Sequence, residues 1–244
     1  MALWPFKKKV STLADAGLMQ GLTDWHSHIL PGVDDGIPDM EKSLETLREY
    51  ERMGVRRVWL TPHIMEDYDN ETSALRSRFA ELQAEWKGGV ELRLGAENML
   101  DSLFEDRLAA RDFLPVGDEG SHLLVETSYF SPPMNFDDLI DEIQAAGYHV
   151  LLAHPERYRY MDETDYNRLK ERGVDFQLNF MSTVGMYGET ARKKAAWLLK
   201  EGMANAVGSD VHRLGSLQKM LATAPKSRDV LQGVLELARQ PRLS

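Results

Sequence analysis

The chain has no cysteine among its 244 residues. That excludes a disulfide framework, thiolate metal sites and a cysteine nucleophile, and it fits a reducing compartment. No apolar run approaches the roughly 20 residues needed to span a bilayer. The start, MALWPFKKKV, has a basic cluster after its apolar residues and no long apolar region behind it, so it does not read as a secretory signal. Trp4, Phe6 and Lys7 to Lys9 read as a solvated tail, with peripheral membrane contact as the lesser reading. A basic excess is missing too. The formal net charge is -10, the wrong sign for a nucleic-acid partner. No low-complexity stretch or Gly/Ser linker divides the chain, and no G-x-G-x-x-G supports a dinucleotide fold.

What the chain does contain is a repeated strand followed by a helix. The expected strands are 22–25, 55–61, 90–96, 122–128, 149–153, 174–180 and 204–209, short runs rich in β-branched or large apolar residues. Helical patterns lie between them. DMEKSLETLREYERMG puts Met40, Leu44, Leu47 and Tyr50 on one face, with Asp39 as N-cap and Gly54 past the end. TSALRSRFAELQAEW, FDDLIDEIQAAG, TDYNRLKERG and ETARKKAAWLLKEG repeat the design, and two more helices close the chain near SLQKMLATA and RDVLQGVLELARQ. Repeats of about 30 residues are what right-handed βαβ units around a parallel sheet look like. A parallel barrel is the first reading and an open doubly wound sheet the second. Residues 1–20 are expected to be an N-terminal extension and residues 21–244 a single barrel domain.

The polar residues cluster at strand ends. His26 and His28 follow the first strand in DWHSHILPGVDDG, His63 follows the second in TPH, and Glu97 follows the third in GAEN. Glu126 sits on the fourth in LVETS, His154 follows the fifth in LLAHPER, and Asp210 and His212 follow the seventh in VGSDVH. In a parallel barrel all strands end at one face, where the site is built. His-x-His and Asp-x-His on extended chain put both side chains on the same side, because the strand period is two. Asp34 and Asp35 can reach back from the loop beyond. A nitrogen and oxygen donor set suits Mn, Fe, Zn or Co.

Each signal alone is weak: His-x-His occurs on surfaces, His154 could be a core histidine, and Glu97 or Glu126 could pair with an arginine. Five of the seven histidines, however, fall at strand ends. Glu126 lies in an apolar strand and needs a compensating partner, a metal or a buried arginine. His122 and His149 begin strands, at the opposite face, and read as structural or exposed.

Taken in order, DWHSHILPGVDDG, TPHIMEDY, GAEN, LLVETS, AHPERY and GSDVH resemble the motifs of the PHP (polymerase and histidinol phosphatase) superfamily. Within it they resemble the bacterial metal-dependent protein-tyrosine phosphatases of capsule and exopolysaccharide loci. The resemblance runs from about residue 22 to 214. It implies a distorted TIM-like (β/α)7 barrel with parallel strands and three divalent metal ions, manganese first, with iron, zinc, cobalt or magnesium as alternatives. Position by position, it implies that His26, His28, Glu97 and Asp210 hold one ion. Glu97, Glu126 and His154 would hold a second, and Asp35, His63 and His212 a third. Arg157 matches an arginine expected to contact phosphate. Arg157, His154 and Asp210 are thus the candidate catalytic residues, and the general acid stays unassigned. The segment IMEDY lacks the histidines or arginines that many relatives carry after TPH, which leaves contacts from that loop unsupported.

The implied activity is metal-assisted hydrolysis of phosphotyrosine on a protein, a tyrosine kinase tail in polysaccharide export, in the cytoplasm. An oligomer is compatible with the sequence. Two rivals stand beside it: a small-molecule phosphatase such as a histidinol phosphatase, and a metal-dependent regulatory module without turnover. The loops YFSPPMNF and MSTVGMYG are long enough to shape a pocket mouth, although Phe130, Met134 and Tyr187 could equally be barrel packing.

Overall fold

The computed structural model describes residues 11–243, so the reading of Trp4, Phe6 and the adjacent lysines lies outside the described residues. Residues 11–21 form turns whose Leu13, Leu18 and Met19 are buried. The strands are β1 (Thr23–Asp24), β2 (Arg57–Leu60), β3 (His63–Ile64), β4 (Glu91–Leu94), β5 (Glu97–Met99), β6 (His122–Glu126), β7 (His149–Ala153), β8 (Asp175–Asn179) and β9 (Ala206–Gly208). Each pairing between them is parallel.

They occupy the seven expected strand positions. The second and third, expected at 55–61 and 90–96, hold β2 and β4; after a break each resumes beyond those bounds as β3 and β5, so His63 and Glu97 lie on short strands rather than in the loops after them. Pro62 stands at the first break and has no N–H to give the ladder. The breaks divide the strands into sheets β1-β2-β4 and β3-β5-β6-β7-β8-β9. Backbone bonds still cross them, from Gly95 N to Leu60 O (2.9 Å) and from Glu97 N to Pro62 O (3.0 Å). The ring closes where Trp25 N donates to Val207 O (3.3 Å) and His28 N to Val211 O (3.0 Å). The result is the expected parallel barrel rather than the open sheet.

The helices α1 (Met40–Arg52), α2 (Thr72–Glu85), α3 (Phe104–Ala110), α4 (Phe136–Ala145), α5 (Glu163–Glu171), α6 (Glu189–Lys200), α7 (Leu214–Leu221) and α8 (Arg228–Arg239) return the chain between strands or close it. The Asp39 side chain caps α1 by accepting from Lys42 N, and Asp162 with Asp165 forms a capping box on α5. Helix α3 was not foreseen. It is seven residues long and buries only Phe104, too little for a helical period to show.

Two apolar clusters follow from the strand period. Outward-facing residues such as Leu60, Leu123, Leu152 and Phe176 pack against the helices. Inward-facing Leu124, Leu151 and Ala206 join Trp25 and Trp59 in a second cluster that plugs the barrel. The two indoles stack at 5.8 Å. The plug closes the lower barrel, so polar side chains at the strand ends sit in a cup with an apolar floor.

Candidate metal centre

The structure brings all nine residues expected as ligands to the mouth of the barrel. Four sets have ligand atoms within 4.8 Å of one another: His28, Asp35, His63 and His212; His26, His28 and Asp210; His26, Glu97 and His154; His63, Glu97 and Glu126. The sets overlap, because Glu97, His26, His28 and His63 each face two of them. This sharing goes beyond the grouping implied by resemblance, which gives His28 to one ion and His63 to another. His63 Nδ1 lies 3.1 Å from Glu97 Oε2 and 3.0 Å from Glu126 Oε1, while its Nε2 is 3.6 Å from Asp35 Oδ1.

Local backbone aims these groups. His154 (φ 34°) and Asp210 (φ 52°) follow β7 and β9 in left-handed conformations. For non-glycine residues such strain costs about 1–3 kcal/mol each and must be held by the surroundings. Gly36 lets the loop after β1 fold back. A Cβ there would sit 2.3 Å from His28 O and 2.5 Å from His28 Cβ. The fold-back separates the paired aspartates. Asp34 Oδ2 accepts from His28 Nδ1 (2.8 Å) and from His63 N (3.1 Å), so it orients a candidate ligand. The more exposed Asp35 points its Oδ1 at His212 Nε2, 3.3 Å away.

Glu97 Oε2, His63 Nδ1 and His154 Nδ1 are buried without a hydrogen-bond partner among the described residues. Glu97 Oε2 nevertheless has His26 Nε2 at 3.1 Å, His28 Nε2 at 3.3 Å and His63 Nδ1 at 3.1 Å. Close approach without hydrogen-bond geometry is what donor atoms show when they converge on a shared point. Every one of these atoms can offer a lone pair. The donor set therefore fits divalent cations with nitrogen and oxygen preference, and these clusters are able to bind metal.

The electrostatics agree. Burial opposes a charge on His26, but the Glu97 and Asp210 carboxylates outweigh it and hold the imidazole up at about 9. His28 is raised as well, against burial, by Asp210, Asp34 and Glu97. Burial would push Asp210 and Glu97 up, yet the surrounding imidazoles hold both carboxylates far below their ordinary range. In metal-free protein, then, protons on histidine neutralise the buried carboxylates, and a cation must displace them.

Arg157 sits beside this cluster, on the short 3₁₀ turn Pro155–Arg157. Its Nη1 donates to Asp210 Oδ2 at 2.7 Å. Its guanidinium lies between two rings, 4.5 Å from the centre of Tyr129 and 4.1 Å from that of Tyr187. Neither tyrosine was foreseen as holding the arginine, because the stack joins loops more than fifty residues apart in sequence. Tyr187 thus belongs to the site, whereas Phe130 and Met134 are exposed beyond it. A cavity of about 560 Å³ opens here, lined by Asp35, His63, Tyr129, His154, Arg157 and Tyr187 among others. Its size suits a small organic group.

His122 and His149 lie at the opposite end, stacked at 5.0 Å, the first buried and the second exposed. The segment 64–68 that follows TPH places Tyr68 against His63, with ring centres 6.0 Å apart.

Comparison with known proteins agrees with this architecture. Residues 22–228 match the family model described as capsular polysaccharide synthesis, CpsB/CapC. The tyrosine-protein phosphatase YwqE of Bacillus subtilis (strain 168) is 31% identical over 199 residues, covering 79% of this chain and 78% of that protein. The tyrosine-protein phosphatase CpsB of Streptococcus pneumoniae is 27% identical over 208 residues, covering 80% of this chain and 84% of the other. A crystal structure from work on YwqE and CpsB, described as unique metal-dependent tyrosine phosphatases, superposes with a TM-score of 0.73 at 26% identity. It covers 91% of this chain and 99% of the other. With its strand-end donor cluster and a match over most of its length, the chain belongs to the CpsB/CapC family of capsular polysaccharide synthesis proteins.

Proposed function

We propose that this protein is a metal-dependent tyrosine-protein phosphatase. Its substrate is a tyrosine-phosphorylated protein, in particular the tail of a tyrosine kinase in capsule or exopolysaccharide synthesis. Such a substrate places the enzyme in the cytoplasm, with at most peripheral membrane contact. The observation that carries the reading is Glu97. It is fully buried, it has an orphaned oxygen facing three imidazoles, and it stands beside an open cavity that also holds Arg157.

Three divalent ions, manganese first and iron, zinc, cobalt or magnesium as alternatives, would be held in the mouth. His26, His28, Glu97 and Asp210 would take one, Glu97, Glu126 and His154 another, and Asp35, His63 and His212 the third. When bound, such ions supply a water acidified toward neutrality and positive charge against the phosphoryl oxygens. The chain's own residues do the rest. Arg157 stays charged: burial opposes the charge, but Tyr129 and Asp210 favour it. Its planar fork has donors beyond the one used on Asp210, and these suit phosphoryl oxygens. Tyr129 and Tyr187 hold that plane in place. No cysteine nucleophile is available, water is the proposed nucleophile, and a phenolate is a fair leaving group that needs little protonation.

The test is phosphate release from a phosphotyrosine peptide by metal-stripped protein given Mn²⁺, with His154→Ala beside it and histidinol phosphate as competitor. Hydrolysis of the peptide only with metal, lost in a folded His154→Ala, is the expected result. A strong preference for histidinol phosphate would move the activity to a small-molecule phosphatase. No turnover with any metal would leave a regulatory module. Arg157→Lys should keep its metal and lose about 10- to 100-fold in kcat/KM, because an ammonium has neither the fork nor the flat face between the rings.

A further inference from the structure

Among the described residues, β8 is the only barrel strand position that contributes no candidate ligand. Its inward-facing residues are nevertheless polar. Gln177 and Asn179 are fully buried inside the barrel, two residues apart on one face. They form a chain of three hydrogen bonds between two candidate ligands. Asn179 Nδ2 donates to Asp210 Oδ2 (2.7 Å), Gln177 Nε2 donates to Asn179 Oδ1 (3.0 Å), and Gln177 Oε1 lies 2.7 Å from His26 Nδ1.

The polarity of this chain follows from its end. Asp210 Oδ2 also receives Arg157 Nη1 at 2.7 Å, so it is an ionised acceptor. Asn179 must therefore turn its NH₂ toward Asp210 and its oxygen toward Gln177. Gln177 must meet that oxygen with its own NH₂, which leaves its oxygen facing His26. An amide oxygen can only accept, so His26 Nδ1 carries the hydrogen. The tautomer with hydrogen only on Nε2 is excluded. At the other end, the contacts on Oδ2 leave Asp210 Oδ1 facing His28 Nε2 (3.4 Å) and His26 Nε2 (3.7 Å).

We infer that Gln177 and Asn179 are positioning residues, a one-way amide relay that turns His26 Nε2 and Asp210 Oδ1 toward the same ion. The inference rests on the metal-centre reading above. Groups behind metal-bound imidazoles fix their tautomer, and losing them costs about 10- to 100-fold in metal affinity. Here two neutral amides on one strand serve two ligands at once, without adding charge to the centre. The backbone is thinned to make room. At Gly208, next to Asn179 in the parallel register, a Cβ would lie 2.6 Å from His26 Cβ and 2.8 Å from Gln177 Nε2. His28 has its own arrangement, Asp34 at Nδ1, so the two adjacent imidazoles are set by different partners.

The experiment uses full-length metal-stripped protein titrated calorimetrically with Mn²⁺, with metal-free stability measured in parallel. Gln177→Leu and Asn179→Leu should each weaken binding by about 10- to 100-fold. The double variant should lose no more than the worse single, because either change breaks the same chain. ¹⁵N NMR of the Zn²⁺-loaded wild type should show His26 protonated at Nδ1. Wild-type affinity in Gln177→Leu, additive losses in the double variant, or a His26 hydrogen on Nε2 would each overturn the relay. If Gln177→Leu does not fold, Asn179→Leu and the wild-type NMR still decide. A wild type that binds no divalent ion would instead overturn the metal-centre reading, and the relay with it.

Discussion

The two ends of this barrel use the same kinds of residue for opposite purposes. At the C-terminal mouth five histidines face shared carboxylates. Below, His122 and His149 stack on each other, with His122 Nε2 3.5 Å from Asp175. Both regions contain buried polar atoms that lack a hydrogen-bond partner among the described residues. At the mouth they include Glu97 Oε2 and His63 Nδ1, 3.1 Å apart, which can both give a lone pair to a cation. In the plug they include Trp25 Nε1 and Trp59 Nε1, which can only donate and offer a cation nothing. An orphaned atom therefore points to a ligand only when its chemistry can serve one and its neighbours aim at the same point. The lower barrel holds the fold; the mouth holds unresolved charge.

That contrast can be broken at either end. Trp59→Ala removes half of the stacked indole pair. It should cost about 3–5 kcal/mol of stability by denaturant unfolding, with Mn²⁺ stoichiometry kept in whatever remains folded. Loss of metal without loss of stability would reverse the assignment of the two ends. Glu97→Gln should do the converse, cutting metal-dependent hydrolysis by about 100-fold or more while the protein folds. Full activity in that variant would remove Glu97 from the centre.

The pH dependence sharpens the same comparison. In metal-free protein His26 is held up at about 9, above the ordinary histidine value of about 6.5. Its contribution to stability is fully present below about pH 6.5 and is lost as pH rises through about 9. The same deprotonation bares a metal ligand, so Mn²⁺ affinity should climb across the window in which metal-free stability falls. Denaturation midpoints with and without Mn²⁺ at several pH values would show the two curves diverging. Parallel curves would mean that His26 is not the group displaced. Last and smallest, His122→Leu should change stability by about 1–2 kcal/mol and leave Mn²⁺ affinity as it was. A calorimetric change there would tie the far end of the barrel to the centre.

Much of this is legible in the sequence. Alternating apolar runs bounded by Gly and Pro marked the strands, and HVLLA was located to the residue as His149–Ala153. Asp39 was legible as a cap because capping is local. The strand-end rule alone collected His26, His28, His63, Glu97, Glu126, His154, Asp210 and His212, since a parallel barrel sends every C-terminal end to one face. Gln177 and Asn179 carried a signal that strand-end reasoning passes over. With Asp175 they make three polar residues at i, i+2 and i+4 in DFQLN, alternating with Phe176 and Leu178, so one face of that strand must be polar inside the barrel.

The sequence by itself thus determined the parallel strand-helix repeat, the strand ends that carry the site and the donor types gathered there, because period, caps and strand ends are local properties; closure into a barrel rather than an open sheet is a contact between the first and last strands. Only the tertiary structure decided which donors share an ion site. It separated Asp34 on His28 from Asp35 on His212, flattened Arg157 between Tyr129 and Tyr187, and ran an amide chain from Asp210 to His26. Those are contacts between strands and loops distant in sequence. They depend on the register and closure of the whole ring, on Gly36 and Gly208 yielding space, and on left-handed turns at His154 and Asp210 that only the packed barrel can hold.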